Sequence, residues 1–115
     1  MSGFHFGELI EVEIPFTDET GSKRRPAIVV SSARYNRERP ELLVMPVTSR
    51  LKHRDTYGTL VIEDWERAGL RKPSVVKPLL WPVLKARVLG KIGILARPDK
   101  DALRATLAEI LSADI

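Results

Sequence analysis

Gly7-Glu8-Leu9-Ile10-Glu11-Val12-Glu13-Ile14-Pro15-Phe16 is the stretch that decides the fold class. Ile10, Val12, Ile14 and Phe16 alternate with Glu11 and Glu13, and this period of two fits a strand with one buried face. Gly7 can supply a turn just ahead of it. Working outward, residues 17–25 are rich in turn formers and read as a loop. Ala27-Ile28-Val29-Val30 is a short β-branched run and reads as a buried strand. Residues 31–40 read as a loop. Leu42 to Val47 predict a third strand, with Pro46 marking an edge or an end. Residues 50–55 are polar, and Thr59 to Ile62 predict a fourth strand. Asp64 is placed to cap a short internal helix over residues 65–70, stopped near Gly69 and Pro73. Ser74 to Lys77 read as another strand, whereas the two prolines in 78–82 resist regular structure. Val88 to Leu95 form a last strand, in which Gly90 and Gly93 mark curvature or close backbone approach. Asp99 is expected to cap a terminal amphipathic helix carrying Leu103, Leu107, Ile110 and Leu111 at helical spacing. Short strands followed by one helix describe a mainly β chain, a small curled barrel or sandwich.

The chain has 115 residues, which suits one domain over 1–115, and its 43% hydrophobic content is enough for a core. No apolar run approaches the ~18–20 residues needed to span a bilayer. The N-terminus has neither a basic nor an apolar leader segment, so a cytoplasmic location is expected. There is no cysteine, which removes disulfides, thiolate nucleophiles and cysteine-ligated zinc together. No phosphate-binding glycine loop and no metal triad of usable spacing is present, so neither a metal nor another cofactor is expected. Charge is unevenly spread. Residues 1–20 carry five acids and no Lys or Arg, while residues 21–54 carry nine Lys/Arg against Glu38 and Glu41. A basic middle of this kind attracts polyanions such as RNA by counterion release.

One ordered set of residues adds a family resemblance. After the Gly7-led strand come Arg25-Pro26-Ala27-Ile28-Val29-Val30-Ser31, Tyr35-Asn36 and Met45-Pro46-Val47-Thr48-Ser49. The order resembles that of MazF/PemK toxins, whose pattern runs from a Gly-led strand to an Arg-Pro strand, a Tyr/Phe-Asn turn and a Thr-Ser strand end. The resemblance covers most of the chain and implies an SH3-like (CcdB/MazF-type) small barrel with a C-terminal helix. It further implies a growth-inhibiting toxin that cuts single-stranded mRNA without a metal, a homodimer, and a cognate antitoxin.

Such cleavage uses the substrate's own 2′-OH as nucleophile, and the enzyme must move protons and stabilise phosphoryl charge. Arg25 is the first candidate: its planar, permanently charged guanidinium can grip phosphate oxygens bidentately from the start of a strand. Thr48 and Ser49 follow at a strand end, where they either hold a phosphate or close a hydroxyl-capped turn. By the resemblance, Lys77 stands where PemK-type members carry a functional arginine. Leu79 stands where the family usually carries an aspartate assigned to proton transfer. Either Asp18 or Glu19 on the first long loop takes that proton transfer, or Arg25 acts with water, or the chain is a weak or inactive nuclease. Arg24, Arg50, Lys52 and His53 are candidate RNA contacts. His5 and His53 are the two histidines of the chain, and Tyr35, Tyr57, Trp65 and Trp81 are candidate base-stacking rings or core anchors. Two other readings compete: a CcdB-like gyrase poison and a non-catalytic SH3-like binding module. CcdB-type chains end in Trp-Gly-Ile, whereas this one ends Ser112-Ala113-Asp114-Ile115.

Overall fold

The computed structural model describes residues 3–15 and 22–112. Seven strands form one mixed-length antiparallel sheet: β1 (Glu8–Pro15), β2 (Ser22–Val29), β3 (Glu41–Thr48), β4 (Leu60–Val61), β5 (Val75–Val76), β6 (Trp81–Leu84) and β7 (Val88–Ile94). The order is β4-β5-β3-β2-β1-β7, with β6 paired to β3 beside β5. The sheet stays open, since no pairing among the described residues joins β4 to β7. A short helix α1 (Ala33–Glu38) follows β2, and α2 (Arg97–Ile110) closes the chain.

β1 lies between β2 and β7, so both of its edges are paired, and near its start side chains on both faces are buried. Ile10 and Val12 pack with Ala27, Val29, Leu42 and Val44 on one face. Leu9 joins Ile28, Met45, Val47, Val76 and Leu103 on the other. The alternation of Ile10 and Val12 against the exposed Glu13 holds, and Leu9 adds the second buried face. Phe16 lies outside the described residues. Gly7 turns with φ +88°, donates its N–H to Val29 O (2.8 Å), and accepts from Leu95 N (2.9 Å), tying β2 to the end of β7.

Pro46 sits inside β3 and is buried. On the outer edge of β3, β6 pairs through Val44 and β5 pairs from Val47, so Pro46 falls at the handover. Its carbonyl accepts from Lys77 N (2.9 Å) on that side. The N and C=O of one extended residue point the same way, so the missing N–H faces the gap and no ladder bond is lost.

Three local expectations are corrected. The internal helix is not at 65–70, where Ala68 N–H reaches Asp64 O (3.2 Å) in a run of turns; it is α1, inside the expected 31–40 loop. Ser32 drives that helix by accepting from Tyr35 N (3.1 Å), an N-cap hidden among loop-forming residues. Residues 81–84 form β6 despite Pro82, because Pro82 points its donorless nitrogen along an edge strand. Asp99 does not cap α2, whose N-cap is Ala96. Instead its buried carboxylate accepts from Glu63 N (3.1 Å) and Asp64 N (2.9 Å), clamping the loop after β4 to the helix. Leu103 is fully buried and Leu107 and Ile110 pack against the same core, while Leu111 is left exposed at the C-cap. Gly93 marks a close approach, since a Cβ there would collide with the Ala68 carbonyl oxygen, whereas Gly90 faces open space.

The Asp99 clamp yields a measurable expectation. Asp99→Asn keeps one acceptor and turns an NH2 toward a backbone N–H. Thermal melts should show a loss of about 1–3 kcal/mol. An unchanged melt would mean that the two N–H groups find other partners.

Candidate functional site

β2 and β3 pair with Ala27 opposite Pro46, Ile28 opposite Met45 and Val29 opposite Val44. The ladder ends there, with Arg25 two residues before Ala27 and Thr48 two residues after Pro46. Alternation then puts Arg25 on the same sheet face as Ala27 and Val29, and Thr48 on the face of Leu42 and Val44. Those are one and the same face. Past Val76, Lys77 lies beside Pro46 through its 2.9 Å backbone bond. Three strands thus present Arg25, Thr48 and Lys77 together.

They line an open cavity of about 500 Å³. Its wall also holds Ser49, Arg50, His53, Arg71, Lys72, Ser74 and Trp81. Arg25, Arg50, Arg71, Lys72 and Lys77 make the lining strongly cationic, and no carboxylate joins it among the described residues. Thr48 Oγ1 accepts from Arg50 N (3.1 Å), which is the hydroxyl-capped turn expected at a strand end. That bond uses an oxygen lone pair and leaves the hydroxyl proton available to an anion in the cavity. His53 stands on the 3-10 helix Leu51–Asp55; its N–H reaches Arg50 O (3.3 Å) and its carbonyl accepts from Thr56 N (3.0 Å). The Ser74 hydroxyl donates to Lys72 O (2.9 Å) and holds the Arg71–Lys72 turn against the cavity.

Of the candidates named from the sequence, Arg25, Thr48, Ser49, Arg50, His53 and Lys77 share this cavity. Arg24 and Lys52 do not line it; Arg24 is one residue from Arg25, so alternation sends it to the opposite face. Asp18 and Glu19 lie outside the described residues. Leu79 is 40% exposed and outside the lining, because the chain turns at Lys77, with Leu79 N–H on Lys77 O (2.8 Å). His5 is exposed ahead of β1, its N–H on Glu8 Oε1 (2.7 Å), and does not reach the cavity lining. Sequence reasoning missed Arg71 and Lys72, which arrive on the long segment between β4 and β5. Trp81 is half-buried: it packs on the core beside Val44 and turns part of its surface to the cavity. Trp65 packs on the other core cluster, and Tyr57 is 70% exposed.

Among the described residues no helix is long and apolar enough to cross a membrane, and no group of three His, Asp or Glu side chains is arranged to hold a metal. The fold recurs in solved structures. MazF from Deinococcus radiodurans superposes with a TM-score of 0.73 at 20% identity, over 96% of this chain and 98% of that one. A MazE–MazF structure from the same organism gives 0.72 at 24% identity, over 93% and 94%. An endoribonuclease from a mycobacterial species gives 0.74 at 14% identity, over 96% and 93%. At these identities the likeness speaks for the fold. No curated protein matches the sequence. The family model described as PemK-like, MazF-like toxin of type II toxin-antitoxin system matches residues 5–111. With nearly the whole chain matched and the fold shared, this chain belongs to the PemK-like, MazF-like family of toxins of type II toxin-antitoxin systems.

Proposed function

We propose that the chain is an endoribonuclease toxin that acts in the cytoplasm as a homodimer, cuts single-stranded RNA without a metal, and is restrained by a cognate antitoxin. The observation that carries this reading is that Arg25 and Thr48 line one cavity whose charged side chains, among the described residues, are all cations. The solved structures sharing the fold include endoribonucleases and a MazE–MazF pair, which supports the same reading.

The chemistry follows from the lining. A phosphodiester enters the cavity and its non-bridging oxygens meet the Arg25 guanidinium, which can donate two parallel bonds. The Thr48 hydroxyl, its oxygen pinned by Arg50 N–H, donates a further bond, and Ser49 stands beside it. Lys77 adds a point charge. As the 2′-oxygen bonds to phosphorus, negative charge grows on these oxygens, where preorganised donors are most effective. The P–O5′ bond then breaks to leave a 2′,3′-cyclic phosphate and a 5′-OH. Arg50, Arg71 and Lys72 extend the grip along the strand, with Arg24 and Lys52 as outlying contacts, and Trp81 offers a ring face to a base. An antitoxin segment rich in carboxylates would occupy the same cations by charge complementarity.

Purified protein should therefore cleave single-stranded RNA in EDTA, giving 5′-OH ends, and cleavage should weaken steeply with added salt. RNA left intact at high protein concentration, in every sequence context tried, would leave a binding module in place of a nuclease.

A further inference from the structure

Attack by a 2′-OH requires an acceptor for its proton, and the cavity narrows the choice. Arg25, Arg50, Arg71, Lys72 and Lys77 are protonated side chains, and the hydroxyls of Thr48, Ser49 and Ser74 are very weak bases. Of the described residues lining the cavity, His53 alone carries an imidazole, the side chain most often used as a general base. We propose that His53 is the general base of the reaction, an assignment that rests on the nuclease reading above.

The backbone around His53 couples it to the phosphate grip. Thr48 Oγ1 holds Arg50 N–H at 3.1 Å, and Arg50 O holds His53 N–H at 3.3 Å. Two bonds thus tie the His53 backbone to the hydroxyl that meets the phosphate. The imidazole is half-buried on a short 3-10 helix, a defined element and not a free loop end. The other histidine, His5, is not in the lining, so one imidazole serves this site and not a pair. Leu79 leaves the family's usual carboxylate position without a proton acceptor.

Neutral His53 takes the 2′ proton as the O2′–P bond forms. The P–O5′ bond breaks, O5′ takes a proton from water, and the imidazolium returns its proton to the resulting hydroxide. The charged groups sharing the cavity with His53 are Arg25 from β2, Arg50 ahead of the 3-10 helix, Arg71 and Lys72 from the segment before β5, and Lys77 after it. Lys52, Arg54 and Asp55 are its neighbours on its own helix. A general base acts in its unprotonated form, so cleavage at saturating RNA should rise with pH, and that rise should depend on the imidazole.

The test is single-turnover cleavage of a single-stranded RNA at saturating protein, from roughly pH 5 to 9, by wild type, His53→Gln, His53→Ala and the double variant Asp18→Asn/Glu19→Gln. His53→Gln should cut about 10²- to 10⁴-fold more slowly and lose the rising limb, with RNA binding and melting temperature retained. Added imidazole should restore part of the His53→Ala rate. The carboxamide double variant should keep the limb. Near-wild-type cleavage by His53→Gln overturns the assignment. So does a loss confined to RNA binding with the limb intact, or removal of the limb by the loop carboxamides. Wild-type protein that cuts no RNA overturns the nuclease reading itself, an outcome distinct from active wild type with an indifferent His53.

Discussion

Arg25→Ala should reduce RNA cleavage by about 10²–10³-fold, the usual cost of removing a preorganised donor to a developing oxyanion. It should also abolish toxicity on expression while leaving the melting curve in place. Arg25 lies in β2 opposite Val12 of β1, and the strand is held there by backbone pairing from Leu9↔Ile28 to Pro15↔Ser22. The side chain itself is exposed, so truncating it removes no core contact. Truncation takes a donor fork from the cavity wall that also holds Thr48. Because charge on the phosphoryl oxygens grows between ground state and transition state, the loss should fall mainly on kcat and less on KM. Arg25→Lys sharpens the test. Lysine keeps the charge but not the planar fork, so RNA binding should survive better than cleavage. If Arg25→Ala remained fully toxic, or lost only binding, the guanidinium would not be at the reacting phosphate.

Much of this arrangement is legible in the sequence for a physical reason. Arg25 and Thr48 sit on strands that are adjacent and antiparallel, and period-two alternation alone puts both on one face. Their partners Ser49, Arg50 and His53 follow within a few residues, so they share the same strand end. Arg71, Lys72 and Trp81 are different. They reach the cavity through the handover at Pro46, where the outer edge of β3 passes from β6 to β5. Nothing in a one-dimensional pattern states which edge accepts a two-residue strand, and the burial of Trp81 next to Val44 decides it through packing. The same holds for Asp99. Read locally, an aspartate after Pro98 is a helix cap; in three dimensions the N–H groups of Glu63 and Asp64, far away in sequence, compete for its carboxylate and win.

Asn36→Ala should be the most destabilising single change in the short helix region, at about 2–4 kcal/mol, although Tyr35-Asn36 reads in sequence as part of a functional signature. Asn36 is 3% exposed. Its Nδ2 donates to Phe4 O (2.9 Å) and Ser31 O (3.1 Å), and its Oδ1 accepts from the Ser31 hydroxyl. The Ser31 oxygen in turn accepts from Leu43 N (3.0 Å), so one amide joins the N-terminal segment, the end of β2 and the start of β3. Alanine strands two carbonyls and a hydroxyl in a site closed to water. Asn36→Asp tests the same network with nearly equal volume: it still accepts from Ser31 but offers no donor and aims negative charge at two carbonyl oxygens. Both variants should melt roughly 10–20 °C lower, with aspartate at least as damaging as alanine. Because Asn36 is not in the cavity lining, the protein that remains folded in the cold should cut RNA at the wild-type rate. A normal melting curve with lost cleavage would move Asn36 from the frame to the site. The opposite pattern would set Asn36, which holds the end of β2 to the start of β3, apart from Arg25 and Thr48, the residues proposed to act on the phosphate.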